Sequence, residues 1–230
     1  GNELLVSTLA VPGIQIEGER AVIQKNRIHG GLPAVLVIGG AGHEVSKNQS
    51  VNAASAGIHL VGGANSASLT SNRIDNADGP GVQLDDGTAG IEVAKNRITS
   101  CGDRDDAGIQ ASGEDHALTS NRIEGCAGDG IRLAGPGGHV AVKNQVRGSG
   151  KDGFDIQPGS DGNELEKNSS FDNAGEGFEN SADTTTLVSN TARGNHFDYA
   201  NDGTFATFQG NTSGDPTASS PSGPVAPEID

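Results

Sequence analysis

The sequence predicts an all-β fold, a right-handed parallel β-helix solenoid of about nine coils of 21–25 residues, from two periodic markers and one feature of composition. Asparagine recurs at a near-constant spacing, and a glycine followed by an apolar–polar–apolar triplet recurs in step with it. Glycine is abundant at 36 residues, whereas aromatic residues make up only 3% and Met and Trp are absent. A solenoid tolerates this composition because a few Ile, Leu, Val or Ala side chains per coil fill its narrow core.

The asparagine marker has nine members, and neighbouring members are 21 to 25 residues apart in sequence. The members are Asn26, Asn48, Asn72, Asn96, Asn121, Asn144, Asn168, Asn190 and Asn211. A tight turn leaves backbone N–H and C=O groups without partners in a strand ladder, and an inward-pointing Asn side chain supplies both a donor and an acceptor. We therefore expect these side chains to stack inside successive turns and to hydrogen-bond to one another.

The glycine marker opens a short strand in each coil. The triplet after the glycine alternates apolar, polar and apolar, as expected of a strand whose apolar side chains point inward. The marker glycines are Gly13, Gly57, Gly81, Gly108, Gly130, Gly153 and Gly177. Each coil also has room for a second strand, such as residues 117–119, and for a third strand after the asparagine, such as residues 121–123. Three strands with no helix between them can only coil, with about 4.8 Å between stacked strands.

The glycine triplet together with the asparagine resembles the repeat of pectate-lyase-like proteins and of the carbohydrate-binding and sugar-hydrolase repeat group. The resemblance covers residues 13–211 and is specific for the fold. It implies a polysaccharide partner, because these groups include polysaccharide lyases, hydrolases, uronate epimerases, viral tailspikes and non-catalytic surface proteins. Gly153-Phe154-Asp155 also resembles the start of the mannuronan C5-epimerase motif, and Ile156-Gln157 stands where that motif has Pro-His.

Charge and composition also bear on partners and on domain organisation. The formal net charge of −15 opposes nucleic-acid binding, and no apolar run approaches the ~20 residues that span a bilayer, so we expect neither partner. Residues 1–12 are expected to form an incomplete first coil or cap, residues 13–211 the β-helix, and the Pro-, Ser- and Gly-rich residues 212–230 a tail or linker. We expect a piece of a longer, multidomain protein that is extracellular or at the cell surface, of the bacterial secreted type, although no signal peptide is visible.

The two cysteines, Cys101 and Cys126, lie 25 residues apart at equivalent positions of neighbouring coils. We expect two small, buried, free thiols. A disulfide is the alternative, because stacked Cα atoms about 5 Å apart lie within its range. A metal site is not expected, since no third ligand joins the pair.

A basic stripe flanks the asparagines. Its members are Lys25, Arg27, Lys47, Arg73, Lys95, Arg97, Arg122, Lys143 and Lys167. Regularly spaced positive charges suit an acidic polymer, and Arg73, Arg97 and Arg122 are the candidates for substrate binding. The alternative is a solvated surface whose charges alternate with acids of nearby turns.

A row of acids precedes glycines in the later coils. Its members are Asp129, Asp152, Glu176 and Asp202. If they stack on consecutive coils, a calcium ion would offset their repulsion through its preference for hard oxygen ligands, and calcium is the one cofactor that the sequence suggests. The alternative is turn chemistry, because Asp-Gly is a favoured turn pair.

The middle residues of the triplets form an outward-facing column on one sheet. Its members are Gln15, His59, Gln83, Gln110, Arg132, Asp155 and Glu179. Related β-helix enzymes carry their substrate groove on or beside this sheet, so the resemblance implies that His59, Gln83 and Gln110 contact substrate.

The predicted catalytic site lies over the coils of Gly130, Gly153 and Gly177. Uronate chemistry needs a cation that neutralises the carboxylate, a base for the C5 proton, and an acid for the leaving group or the opposite face. The candidates are Asp155, Arg132, Glu179, Lys151 and Asp152, with Arg104 as a further cation. A hydrolase would instead use two of these acids as paired carboxylates. Two classes stay open: a lyase or C5-epimerase acting on an acidic polysaccharide, and a non-catalytic carbohydrate-binding, adhesion or spacer domain.

Overall fold

The structure, a computed structural model, describes residues 2–6, 11–103 and 105–214. Within these ranges the chain forms three parallel sheets, and each strand pairs with the equivalent strands of the neighbouring coils. Each full coil contributes one strand to each sheet in a fixed order, so the predicted all-β parallel solenoid is confirmed. The described residues contain no helix, and hence none that could cross a membrane. Arg104 and residues 215–230 of the expected tail lie outside them.

The first sheet contains the strands that follow the asparagine turns. Its strands are Glu3–Leu5, Arg27–His29, Gln49–Val51, Arg73–Ala77, Arg97–Cys101, Arg122–Glu124, Gln145–Arg147, Ser169–Phe171, Thr191–Arg193 and Thr212–Ser213. The first of these pairs with Arg27–His29 and the last with Thr191–Arg193, so parallel pairing reaches both edges of the described solenoid.

The second sheet contains the strands of the glycine marker. Its strands are Ile14–Glu17, Val35–Ile38, Ile58–Val61, Val82–Leu84, Ala107–Ala111, Asp129–Leu133, Phe154–Ile156, Phe178–Asn180 and Tyr199–Asn201. Their middle residues stack in register, with Arg132 beside Asp155 and Asp155 beside Glu179. Leu36 and Ala200 belong to the same column. The glycine marker does not identify these two, because neither coil has glycine at the marker position.

The third sheet follows the second in each coil and leads into the next asparagine turn. Its strands are Val22–Gln24, Glu44–Ser46, Ser68–Thr70, Glu92–Ala94, Ala117–Thr119, Val140–Val142, Glu164–Glu166, Thr185–Val188 and Phe205–Gln209. Their central side chains are mostly apolar and face the core, as Leu69, Val93 and Leu118 do with no exposed surface.

The ladder asparagines lie at the turn from the third sheet to the first. At Asn72, the backbone N–H and side-chain Nδ2 both donate to Oδ1 of Asn96, at 2.8 and 3.1 Å. Nδ2 also donates to the carbonyl oxygen of Val45 at 2.8 Å. Side-chain bonds run from Asn26 to Asn211, so the predicted inward stack is confirmed. The turn is tight because the Lys or Ser before a ladder asparagine has a φ between 55° and 58°.

The core is a narrow column of aliphatic side chains, joined by stacked aromatic rings in the later coils. Phe154, Phe178 and Tyr199 occupy equivalent inward positions of the second sheet, with ring centroids 4.6 and 5.2 Å apart. In the coil of Gly130 the marker position needs glycine, because a Cβ there would lie 2.1 Å from Cγ1 of Val146. Because glycine has no side chain, the second sheet packs closely against the first. This packing fixes the position of the residue before the glycine, which is Asp129 in this coil.

The expectation of free thiols is wrong. Cys101 and Cys126 form a disulfide between neighbouring coils, with their Cα atoms 4.5 Å apart. Both side chains are buried, at 3% and 1% exposure. Coil stacking brings equivalent positions within disulfide range, whereas the spacing in sequence does not say which way each sulfur points.

Candidate functional site

Charged side chains converge on the outer face of the second sheet over three consecutive coils. We call their carboxylates the acidic cluster, which consists of Asp129, Asp152, Asp155, Glu176 and Glu179 around Arg132. Three of these acids stand before the marker glycine and two belong to the outward column. The repeat places the two rows side by side, so the predicted candidates Asp155, Arg132, Glu179 and Asp152 lie together.

Arg132 is held between two carboxylates. Its Nε and Nη2 lie 3.0 and 2.5 Å from Oδ2 of Asp129, and its Nε lies 3.2 Å from Oδ2 of Asp155. Nη1 donates to the carbonyl oxygen of Asp105 at 2.7 Å. Burial acts to lower the pKa of Arg132, but the two carboxylates outweigh it and the net pKa is raised. These contacts engage three of the five guanidinium N–H groups, which leaves two for a ligand.

Asp155 is only 4% exposed, although it belongs to the outward column. Gln157, two residues along the same strand face, covers it, with Nε2 2.6 Å from both Oδ1 and Oδ2. Burial, and after it the charge of Asp129, raises the pKa of Asp155 to about 6, while Gln157 and Arg132 act in the opposite direction. At pH 7 this carboxyl is therefore mostly ionised and can accept a proton.

Asp152 is buried as well, and its surroundings favour the protonated form. Its Oδ1 accepts the backbone N–H of Glu176 at 2.6 Å, and its own backbone N–H donates to Oδ1 of Asp129 at 3.1 Å. Burial, and after it the side-chain hydrogen bond with Glu176, raises the pKa of Asp152 to about 9. The site therefore combines a protonated carboxyl with an ionised one near neutral pH. Two carboxyls whose pKa values are separated in this way can serve as acid and base.

A loop from the preceding coil borders the acidic cluster. Its residue Asp105 contacts Arg132 through the backbone, and its Oδ1 lies 3.4 Å from Nζ of Lys151. Lys151 thus stands at the edge of the site, with 42% of its side chain exposed. Burial raises the pKa of Asp106 in the same loop. The further cation predicted here, Arg104, is not among the described residues.

Two contacts of the site were not predicted from the sequence. Gln157 carries a usable signal, because it lies two residues after Asp155 and period two places both on one strand face. Asp105 carries none, since it belongs to a loop whose length, greater than in the other coils, breaks the repeat.

Two groups of carboxylates lie close enough to share a cation. Their ligand atoms lie within 4.8 Å of one another in the sets Asp129–Asp152–Asp155 and Asp152–Glu176–Glu179. Both sets offer hard oxygen donors, which suit calcium. The first set also contacts Arg132, whose positive charge opposes a cation there, so the second set is the better fit.

The predicted stacking of Asp202 on Glu176 is wrong. Asp202 follows the strand Tyr199–Asn201 and is exposed. The residue next to Glu176 in the column is Phe197, whose carbonyl oxygen accepts the N–H of Gly177 at 2.7 Å. The glycine after Asp202 resembles the marker in sequence, but the marker position of this coil is held by Asp198. The sequence pattern therefore pointed to Asp202 and not to Phe197.

The predicted substrate-binding residues of the second sheet lie in register with the site. Gln110 pairs with Arg132, Gln83 with Gln110, and His59 with Gln83. Asp85 joins two of them, with its Oδ2 2.9 Å from Nε2 of His59 and its Oδ1 2.9 Å from Nε2 of Gln83. A continuous polar row therefore leads along the sheet to the acidic cluster.

The predicted substrate-binding arginines lie on the first sheet, apart from the acidic cluster. Arg73 Nε lies 2.6 Å from Oδ2 of Asp75, Arg97 Nη2 lies 3.0 Å from Oε2 of Glu124, and Arg122 contacts the same glutamate. Since each arginine already has a carboxylate partner, the geometry favours the paired, solvated surface over a groove for an acidic polymer.

A groove of about 630 Å³ runs along the turns at the carboxyl ends of the second-sheet strands. Its lining is rich in glycine and backbone, and its ionisable side chains are Asp86 and Glu114. It lies beyond the opposite ends of the strands from Asp129 and Asp152. The groove offers room beside the sheet, but the acid, base and cation of the predicted chemistry lie in the acidic cluster.

Comparisons with known proteins agree with this architecture. A family model described as "Right handed beta helix region" matches residues 6–114 and 89–213. A mutant of the periplasmic alginate epimerase AlgG matches with a TM-score of 0.65 at 13% identity, over 94% of this chain and 70% of that chain. A double mutant of AlgG matches with a TM-score of 0.53 at 12% identity, over 94% of this chain and 70% of that chain. AlgG itself matches with a TM-score of 0.52 at 12% identity, over 85% of this chain and 56% of that chain. No curated protein matches the chain significantly. At these identities the structural likeness concerns the fold.

Proposed function

This chain belongs to the right-handed β-helix family, and we propose on that premise that it acts on an acidic, uronate-containing polysaccharide as a lyase or C5-epimerase. One observation carries the proposal: a half-buried arginine, Arg132, contacts the buried carboxylate of Asp155, and the same cluster contains a second buried carboxyl, Asp152, whose pKa is raised to about 9. The likeness in fold to a periplasmic alginate epimerase supports this substrate class.

The chemistry follows from the three charges. Asp155 removes the C5 proton of a uronate unit, and the electron pair of that C–H bond spreads into the adjacent carboxylate. The two free N–H groups of Arg132 bind the carboxylate oxygens and stabilise this charge. In a lyase, Asp152 gives its proton to the departing O4, where the C4–O4 bond breaks and a C4–C5 double bond forms. In an epimerase, water on the opposite face of the ring returns a proton to C5, because the carboxylates of Asp152 and Asp155 lie within 4.8 Å of each other and therefore on one side of the sugar.

The remaining candidates support these steps. Glu179 lies one coil beyond Asp155 and helps to raise the pKa of both aspartates, so it keeps the proton on Asp152. Lys151 supplies a second positive charge at the exposed edge, where a neighbouring uronate carboxylate would lie. His59, Gln83 and Gln110 would bind further sugar units along the sheet.

Calcium enters the proposal as a competitor of the Asp152 proton. The set Asp152–Glu176–Glu179 fits a hard cation by its oxygen donors, but the ligands must be ionised before calcium binds. We therefore expect calcium to raise the melting temperature of chelator-treated protein at pH 9 and to have little effect at pH 6. Glu179→Gln should remove the gain. Equal melting temperatures with and without calcium at pH 9 would exclude this site.

The location proposed for the protein is extracytoplasmic. The disulfide between Cys101 and Cys126 supports it, because disulfides persist in oxidising compartments and are rare in the cytosol. Thiol labelling of the denatured, unreduced protein should find neither cysteine reactive.

Carbohydrate binding without turnover is the second candidate function. It is favoured by Gln157, which stands where the epimerase motif has a histidine and covers both oxygens of Asp155. In this case Asp155 would accept hydrogen bonds from sugar hydroxyls and remove no proton.

A panel of uronate polymers separates the two candidates. Alginate and polygalacturonate would be incubated with the protein, unsaturated products followed by ultraviolet absorbance, C5 inversion by NMR, and binding by calorimetry. We expect the wild type to turn over one of these polymers, and we expect Asp155→Asn and Arg132→Lys each to abolish that turnover. The matched control is Asp172→Asn, whose carboxylate pairs with Arg147 at 2.8 Å on the first sheet and should not matter. Binding without turnover would favour the second candidate. The absence of both binding and turnover would refute both candidates.

A further inference from the structure

We infer that Phe197 is a stacking platform for one sugar ring of the bound polysaccharide, at the end of the acidic cluster. The inference rests on the proposed function and extends its site by one coil. Phe197 is 39% exposed, whereas the ring residues at the inward positions of the second sheet, Phe154, Phe178 and Tyr199, are at most 3% exposed. Of the Phe and Tyr residues, all of which the structure describes, Phe197 alone is exposed, and it lies beside the row of acids.

The position of Phe197 continues the row that supplies the acids. The N–H of Gly130 donates to the carbonyl of Asp152, that of Gly153 to Glu176, and that of Gly177 to Phe197. Phe197 therefore stands one coil beyond Glu176, a step of about 4.8 Å. A polymer that lies along the sheet over Asp155 would reach this ring.

The neighbouring outward position leaves the ring accessible. Glu179 pairs with Ala200, so the column that holds a charged side chain on each of the three preceding coils ends here in a methyl group. A small side chain beside Phe197 opens space for a ring to lie against it. The surface thus changes from carboxylates to an aromatic face within one coil.

The turn that carries Phe197 is held rigidly. The buried carboxylate of Asp198 accepts hydrogen bonds from Nδ2 of Asn195 at 3.0 Å, from Oγ of Ser213 at 2.5 Å and from the N–H of Gly214 at 3.0 Å. Asp198 is 1% exposed and occupies the marker position of its coil. A turn held in this way loses little backbone entropy when a ligand binds.

His196 connects the platform to the acidic cluster. Its ring centroid lies 4.3 Å from that of Phe197 at an interplanar angle of 57°, and its Nδ1 lies 3.5 Å from Oε1 of Glu176. It thus places a polar group at the edge of the platform, where a sugar hydroxyl would meet it.

The ligand chemistry follows from the two surfaces. The face of an aromatic ring carries partial negative charge and attracts the C–H groups of a pyranose ring, while the sugar hydroxyls and carboxylate stay at the rim. The acidic cluster suits the polar part of a sugar chain, and Phe197 suits the C–H face of one unit. The platform would therefore hold a sugar unit next to the one that reacts at Asp155.

The test compares Phe197→Ala and Phe197→Trp with the wild type in calorimetric titrations with alginate and polygalacturonate hexamers. We expect Phe197→Ala to weaken binding about 3–10-fold and Phe197→Trp to keep or improve it. The matched control is Phe171→Ala, which removes a half-buried ring on the first sheet that lies 5.0 Å from the Arg193 guanidinium. Melting curves of all variants establish that the fold is intact.

The outcomes separate this inference from the proposed function. Wild-type binding that Phe197→Ala leaves unchanged, or that Phe171→Ala weakens equally, overturns the platform and leaves the acidic cluster in place. Failure of the wild type to bind either hexamer overturns the proposed function and the platform with it. Binding that only Phe197→Ala weakens and Phe197→Trp retains supports the platform even if Asp155→Asn turns out to have no effect on turnover.

Discussion

Nε of Arg132 lies 3.2 Å from Oδ2 of Asp155 on the next coil, and Gln157 contacts the same carboxylate from its own strand. Both contacts lower the pKa of Asp155, whereas burial and the charge of Asp129 raise it, with a net value of about 6. Because these opposing effects leave the pKa of Asp155 near neutral pH, a change in any of these neighbours should alter how far this carboxyl is ionised there.

The first prediction concerns Gln157→Ala. Removing a hydrogen bond to the ionised form raises the pKa of Asp155 further, so the acidic limb of the pH–rate profile should move from about pH 6 to higher pH. NMR titration of the Asp155 carboxyl carbon should show the same direction without any substrate. Gln145→Ala, on the first sheet next to Arg122, is the control and should change neither curve. An unshifted Asp155 titration in Gln157→Ala would refute the assigned contact.

The second prediction concerns the stability effect of Asp152. Its folded pKa of about 9 lies above the value near 3.9 of an unfolded Asp, so the folded state holds the proton more tightly. The stability that this proton gives is complete below about pH 4 and is lost as the pH rises towards 9. Asp152→Asn keeps an acceptor for the Glu176 N–H and cannot ionise, so it should exceed the wild type in stability at pH 9 by about 1–3 kcal/mol. The comparison uses the wild type and Asp152→Asn, both chelator-treated and melted at pH 5 and pH 9. An equal loss of stability from pH 5 to pH 9 in both proteins would contradict the prediction.

The third prediction concerns the buried histidines of the third-sheet turn. His116 and His139 stack with centroids 5.1 Å apart, and each Nε2 donates to a carbonyl oxygen, of Ser112 and Ala134, while Nδ1 accepts a backbone N–H. Burial lowers the pKa of His116 to about 4 and also lowers that of His139, while the hydrogen bonds to the carbonyl oxygens and, after them, the charge of Asp115 only partly offset this.

A lowered folded pKa means that the unfolded chain takes up protons first on acidification. The stability is therefore complete above about pH 6.5 and falls as the pH drops towards 4, by up to about 1.4 kcal/mol per pH unit for each histidine. Asparagine already occupies the equivalent position in the next coil, at Asn163, so His116→Asn with His139→Asn should fold and lose less stability between pH 6.5 and 4. Exposed His196→Asn is the control. Parallel pH curves for the double variant and the wild type would contradict the prediction.

The fourth prediction concerns the asparagine ladder. Asn121→Leu should lower the free energy of unfolding by about 1–3 kcal/mol, because it leaves the N–H of Asn96 without its partner inside the solenoid and removes the side-chain hydrogen bond to the carbonyl of Val93. Asn26→Leu, at the partly buried end of the ladder, should cost less. Urea unfolding of the two variants measures the difference, and an equal cost at both positions would mean that burial of the ladder contributes little.

The fold was predictable because every coil repeats the same physical requirements. A ladder asparagine satisfies a turn, and a glycine lets two sheets approach, so both residues recur with the coil and reveal its period. The outward column was predictable for the same reason, since register carries Arg132, Asp155 and Glu179 onto successive coils.

The parts that could not be predicted depend on departures from the repeat. Asp198 replaces the marker glycine and Gly203 imitates it, so the row of acids was extended to Asp202 in place of Phe197. The burial of Asp155 depends on the rotamer of Gln157, and the disulfide depends on the rotamers of two cysteines. Side-chain direction at this level is set by packing in three dimensions, which periodicity does not encode.

The most direct test of the central claim is proton exchange at C5 of the uronate. Both proposed activities begin when Asp155 removes this proton. The wild type would be incubated with alginate or polygalacturonate in D₂O. An epimerase should then produce epimerised units with deuterium at C5, and a lyase should break the C4–O4 bond. Asp155→Asn should reduce the rate of this step by at least about 100-fold, since a positioned base contributes on that order, while Asp172→Asn keeps it. Wild-type levels of exchange or cleavage in Asp155→Asn would contradict the account.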